Sequence, residues 1–138
     1  MNKTILFSRA TDRWQTPQEV KDALYAEFTL NFDPCPLDGT VNGLAPLFCR
    51  WDGKRVFCNP PYGPSIPEWL RRGFEAEIAV YLLPARTDTR WFHSLCLAYA
   101  QEIRFLKGRL KFGDSVNSAP FPSMVVIFDP TQKQGRLL

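Results

Sequence analysis

Four consecutive residues, Asn59-Pro60-Pro61-Tyr62, carry the clearest chemical signal in the chain. The two prolines fix the backbone in an extended, rigid turn and remove two N–H donors, so backbone carbonyls are left as acceptors beside the Asn59 side-chain oxygen. Two acceptors at one point suit an amino group with two hydrogens to donate. Tyr62 adds a flat face on which a planar ring can stack, a contact worth roughly 1–3 kcal/mol per base in nucleic-acid complexes. Together these residues describe a pocket for an exocyclic amine on an aromatic ring. A plain strand-ending turn uses the same residue types. This one directly follows the apolar run Val56-Phe57-Cys58 and precedes a helix start, which is the placement of a site.

The elements that must position this turn read as an alternation of helices and strands. Thr16-Pro17-Gln18-Glu19 offers a capping hydroxyl, a proline at the first helical position and a glutamate three residues after the cap. With Val20, Leu24 and Phe28 on one face, the pattern predicts a helix over 17–28. Leu30-Asn31-Phe32 is a short strand ended by Asp33-Pro34-Cys35-Pro36, whose prolines exclude ladder and helix alike. Residues 37–53 read as loop and 55–58 as a strand that stops at the turn. Ser65-Ile66-Pro67-Glu68 is a second capping box, opening a short helix with Trp69 and Leu70 that ends near Gly73. The unbroken apolar run 78–83 has no alternation, as in a strand covered on both faces, and marks the sheet centre. After Pro84, Thr87 or Asp88 caps a helix presenting Trp91, Phe92, Leu95 and Tyr99. Strands follow over 103–106, 109–112 and 124–128, with Lys107-Gly108 a tight turn between the first two. This order predicts a doubly wound α/β fold, a mostly parallel sheet with an antiparallel edge. Ligands of such sheets lie beyond the carboxyl ends of the strands, where Asp33-Pro34-Cys35-Pro36, Asn59-Pro60-Pro61-Tyr62 and Pro84-Ala85-Arg86-Thr87-Asp88 all fall.

Bulk properties narrow the class. At 138 residues, 45% hydrophobic and 22% charged, the chain is expected to be a single soluble domain over 1–138, with 1–13 a polar arm and 131–138 a tail. Its longest apolar run is far short of the roughly 20 residues of a membrane-spanning helix, and the first residues lack a secretory pattern. No membrane partner and a cytoplasmic location are expected. A net charge of +3 permits a polyanionic partner and excludes an acidic DNA mimic. Cys35, Cys49, Cys58 and Cys96 form no Cys-x-x-Cys pair and His93 is the sole histidine, so no metal site is expected and the thiols should be reduced and mostly buried.

Further blocks follow in order: Trp14-Gln15-Thr16-Pro17, Phe32-Asp33-Pro34-Cys35, Gly43-Leu44, Trp51-Asp52-Gly53, Leu83-Pro84-Ala85-Arg86-Thr87-Asp88-Thr89, Trp91-Phe92-His93 and Gly108-Arg109-Leu110-Lys111-Phe112. With Asn59-Pro60-Pro61-Tyr62-Gly63 they make residues 14–129 resemble the small phage-type DNA N6-adenine methyltransferases that use S-adenosylmethionine. The resemblance implies a minimal Rossmann-like class I methyltransferase fold, with motifs in an order similar to the gamma arrangement. It implies that Asn59 and the Pro60 carbonyl hold the adenine amino group in the turn stiffened by Pro60 and Pro61, and that Tyr62 stacks on the flipped base. It also implies that Thr16 and Pro17 meet the methionine end of the cofactor, that Asp33, Pro34 and Cys35 form an acidic-Pro cofactor motif, and that S-adenosylhomocysteine is the product. DNA is the expected partner, in a bacterial host with a phage or prophage setting. Arg86, Arg109 and Lys111 are the candidate DNA contacts, and each is equally explained as a helix-cap or solvated hairpin residue.

The sequence departs from the family pattern at two places. Cys35-Pro36-Leu37-Asp38-Gly39 stands where a Gly-x-Gly loop is usual, and Asn42 stands where Asp often precedes Gly43-Leu44. Asp38 and Asp52 are candidates for the cofactor ribose and equally ordinary turn residues. The tetrapeptide by itself also fits cytosine N4 or a glutamine amide as acceptor. A non-catalytic nucleic-acid-binding module of the same fold is the reading from another class. No segment is long enough for a separate target-recognition domain, so readout falls to loops, to the 107–123 region or to a second subunit.

Overall fold

An apolar run without a polar face has to be covered on both sides, and every residue of 78–84 is buried. The computed structural model describes residues 13–113 and 117–130. Its order is helix α1 (Gln18–Phe28), strand β1 (Arg55–Cys58), helix α2 (Ile66–Arg72) continued by a 3-10 turn (Gly73–Glu75), strand β2 (Ile78–Pro84), a π-helical segment (Phe92–Leu97), strand β3 (Glu102–Phe105) and strand β4 (Ser123–Phe128). The four strands form one mixed sheet in the order β1-β2-β4-β3. β1 and β2 are parallel, and β4 is antiparallel to both of its neighbours. Phe32 adds a single parallel bridge to Val56 beyond β1, which is all that forms of the strand expected over 30–32. The fold class is α/β with a mixed sheet.

Helix α1 forms where the apolar spacing places it, with Leu24 buried and Val20 and Phe28 packed at the margin of the core. Its carbonyl end is closed by Arg55 of β1, which donates to Phe28 O and, at 3.0 Å, to Thr29 O. A guanidinium there satisfies orphan carbonyls and meets the negative end of the helix dipole. Arg104 of β3 holds the same helix through an ion pair with Glu27. Among the described residues no helix is long and apolar enough to cross a membrane.

Four expectations change. The antiparallel strand is not at the edge: β4 lies between β2 and β3, and β3 therefore runs in the direction of β2. Burial explains the order, because every β4 residue is buried whereas Glu102, Ile103, Arg104 and Phe105 of β3 are exposed or half-buried. The wholly apolar strand takes the interior. Residues 109–112 form no strand: Phe112 turns into the core, and the local backbone bonds run from Ala119 N–H to Leu110 O at 2.8 Å and from Gly113 N–H to Gln15 O at 2.9 Å. Both expected capping boxes fail while their helices form, since neither Thr16 nor Ser65 makes a side-chain cap bond. In the helix after β2 the capping oxygen is Thr89 Oγ1, which accepts from Phe92 N–H at 3.3 Å, in place of Thr87 or Asp88. The expected tail, and the expected arm apart from Arg13, lie outside the described residues.

Candidate active site

Parallel strands that end together leave their following turns side by side, and the turn after Phe32 and the turn after β1 do so here. A cleft of about 110 Å³ lies between them, lined by Arg13, Thr16, Lys21, Asp33, Cys35 and Asn59 among others. Thr16, Asp33, Cys35 and Asn59, four residues expected from three segments, thus face one space. Pro17, Pro34 and Pro60, their neighbours in the chain, are buried.

Asn59 is held from above by the segment that leads into α1. Its Nδ2 donates to the Trp14 carbonyl and, at 3.0 Å, to Thr16 Oγ1. A carbonyl can only accept, so the amide nitrogen must face Trp14 and the oxygen must face away. That oxygen, Oδ1, is buried and has no hydrogen-bond partner. A buried acceptor left unpaired costs about 1–3 kcal/mol, and such an atom in a native fold calls for an explanation.

Asp33 accepts from the Cys35 N–H at 2.9 Å and lies 3.5 Å from Lys21 Nζ. Burial pushes its carboxyl above the ordinary 3.8, although the Cys35 amide and Lys21 pull it the other way. The Cys35 thiol is pushed up to about 11, again by burial, so it is neutral near pH 7. Arg13 donates to the Pro36 carbonyl at 3.1 Å and closes the far wall.

Tyr62 is only 3% exposed. Phe112 and Phe121 meet its ring edge to face at centroid distances of 6.3 and 5.6 Å, and Trp14 packs on both phenylalanines. The expected open stacking face is covered in this structure. Its hydroxyl donates to Leu82 O of β2 at 3.0 Å, and burial raises the phenol well above its usual 10, so it is neutral.

Residues 3–138 match the family model described as DNA N-6-adenine-methyltransferase. The chain belongs to that family. Over 145 residues it is 28% identical to a DNA N-6-adenine-methyltransferase of Haemophilus phage HP1, with 91% of this chain and 83% of that protein covered. No solved structure matches the chain significantly. Family membership identifies a DNA adenine methyltransferase, an enzyme acting on N6.

The remaining expected residues of this methyltransferase are more scattered. Arg86, Arg109 and Lys111 are exposed, and Arg86 is near enough for its charge to act on the Tyr62 hydroxyl. Asp52 pairs with Arg50, bridges Ala76 on the approach to β1 and does not line the cleft. Asp38 accepts from the N–H and hydroxyl of Thr40 in its own turn. His93 is exposed and contacts the Thr87 carbonyl at 2.7 Å. All four cysteines are free and buried. Among the described residues no three His, Cys, Asp or Glu side chains group as metal ligands. Sequence reading missed Trp14 and Thr16 as partners of Asn59, Lys21 as partner of Asp33, and Phe112 and Phe121 as the cover on Tyr62. The Trp14-Gln15-Thr16-Pro17 block drew notice to the right segment and gave no sign of this contact.

Proposed function

We propose that the methyltransferase uses S-adenosylmethionine bound in the cleft, and that the turn Asn59-Pro60-Pro61-Tyr62 receives an adenine flipped out of DNA. The buried, unpartnered Asn59 Oδ1 carries this reading. An adenine N6 amine is a poor nucleophile because its lone pair is delocalised into the ring. Asn59 Oδ1 and the Pro60 carbonyl accept its two hydrogens best when the nitrogen becomes more tetrahedral, so the contacts strengthen toward the transition state. Flipping is required because the amino group is otherwise inside a base pair. The covered Tyr62 ring becomes a stacking surface when Phe112 or Phe121 swings aside. Arg86, Arg109 and Lys111 make salt-dependent phosphate contacts. The sheet is read as a minimal Rossmann-like core, and the enzyme as a single domain working in a bacterial host, a setting supported by the phage source of its relative.

The cleft suits the proposed cofactor in its donor set: an acid at Asp33 for a cation, basic groups at Arg13 and Lys21 for a carboxylate, and a hydroxyl at Thr16. When bound, the cofactor supplies an electrophilic methyl group on a positive sulfur. Incubation of DNA with protein and S-adenosylmethionine, followed by nucleoside mass spectrometry, should give N6-methyladenine; N4-methylcytosine or unmodified DNA would overturn the assignment.

Asp33 makes cofactor affinity depend on pH. The folded state holds its proton more tightly than the unfolded chain, so Asp33 opposes folding as pH rises from 3.8 through its raised value. Only the carboxylate attracts the ammonium group of the ligand. Affinity for S-adenosylhomocysteine should therefore increase through that window and level above it, in titration calorimetry between about pH 4 and 7. Asp33→Asn should weaken binding and flatten the profile, and a flat wild-type profile would remove Asp33 from the contact.

A further inference from the structure

We propose that Thr16 is a positioning residue for methyl transfer: with the Trp14 carbonyl it fixes the Asn59 amide so that Oδ1 is presented to the incoming amino group. The proposal rests on the reading of the turn given above. A terminal amide rotates through a broad, nearly two-fold torsion, and its two ends have almost the same shape. Only the oxygen end can accept from N6, whereas the nitrogen end would set donor against donor. Something must hold the choice.

Two contacts do. The Trp14 carbonyl, which has no hydrogen to give, demands the Nδ2 end, and Thr16 Oγ1 takes a second Nδ2 hydrogen at 3.0 Å. α1 has Pro17 at its N-cap, with no side-chain cap bond, and Thr16 stands one residue before it, so the Thr16 hydroxyl serves Asn59 instead. Having accepted from Asn59, the hydroxyl keeps its own hydrogen for another acceptor, and Thr16 borders the cleft. The segment carrying both contacts is itself fixed: Gly113 N–H donates to Gln15 O at 2.9 Å, and the Trp14 ring packs 5.5 Å from Phe112 and 5.1 Å from Phe121.

The test compares Thr16→Val, which keeps shape and loses the acceptor, with Thr16→Ser, which keeps the acceptor. At saturating DNA and S-adenosylmethionine, Thr16→Val should lower kcat by about ten- to a hundredfold, the scale of a misplaced reacting group, and Thr16→Ser should stay within about threefold of wild type. Affinity for S-adenosylhomocysteine by calorimetry should change less than kcat. In an Asn59→Ala background, Thr16→Val should cause no further loss, because the group it positions is gone. Thermal unfolding of each variant checks the fold, with Thr16→Ala as the substitute should Thr16→Val not fold. A Thr16→Val enzyme with full kcat and weakened cofactor binding would make Thr16 a cofactor ligand and overturn the proposal. Losses that multiply in the double variant would overturn it equally. Full activity in Asn59→Ala would instead bring down the reading of the turn itself.

Discussion

Asn59→Ala should lower kcat for DNA adenine methylation by about 10²- to 10³-fold, the cost of deleting a polar contact that acts mainly in the transition state. The substitution removes the buried acceptor Oδ1 and with it one of the two groups proposed to draw the N6 hydrogens. Stability should move little, within about 1 kcal/mol, because loss of the Nδ2 bonds to Trp14 and Thr16 is offset by removal of an unsatisfied buried oxygen. DNA affinity should also persist, since phosphate contacts dominate it. Asn59→Asp should rescue only in part: it keeps an acceptor and sets a carboxylate against the Trp14 carbonyl that now takes an N–H. Methyl incorporation at saturating substrates reads kcat, and calorimetric unfolding reads stability. A fall of less than about tenfold in Asn59→Ala would leave the unpartnered oxygen unexplained by catalysis.

Gly43→Ala should destabilise the protein by about 3 kcal/mol or more and lower Tm by roughly 10 °C. A Cβ at this position would stand 2.2 Å from Pro34 O and 2.5 and 2.9 Å from ring carbons of Trp69. Neither neighbour can yield: one is backbone and the other a buried indole. Nor can Gly43 retreat, because its carbonyl accepts from Trp51 Nε1 at 2.9 Å and from Arg72 Nη1 at 3.0 Å. Pro34 adjoins Asp33, so any relief of the clash displaces the cleft wall, and S-adenosylhomocysteine affinity should fall in whatever fraction stays folded. Differential scanning calorimetry decides the matter; a Tm within about 3 °C of wild type would show that the loop yields after all.

What the sequence disclosed follows from how local each signal is. β1 and β2 are buried on both faces, so each leaves an unbroken apolar run, and the prolines at 60 and 61 announce the turn by their own stereochemistry. The convergence of Asp33, Cys35 and Asn59 was legible because parallel strands end on one edge, whereas Thr16 was expected there only from the family resemblance and the strand-end segment 84–88 does not line the cleft. The partners of Asn59 were hidden, since those bonds span 43 and 45 residues and exist only through tertiary approach. Thr16 looked like a cap because a hydroxyl before Pro17 has that chemistry, and a distant amide competes for it. Residues 109–112 mimic a half-buried strand by alternating Arg109 and Lys111 with Leu110 and Phe112. Phe112 instead completes an aromatic cluster with Trp14, Tyr62 and Phe121, and the backbone here bonds singly to Ala119 and Gln15 rather than along a strand. The place of β4 was misread because order along the chain says nothing of order across a sheet.

The inserted strand has a consequence during synthesis. β2 and β3 both pair with β4 and are not neighbours in the sheet, so until residues 123–128 have been made, β2 carries a bare, wholly apolar flank along residues 79–84. Such a flank is a template for a neighbouring chain. A nascent chain halted between 106 and 122 is therefore a candidate for self-association before it can be a partial enzyme. The turn at 59–62, proposed to be catalytic, is encoded early, whereas the frame that holds it is closed by β4, the last of the described strands.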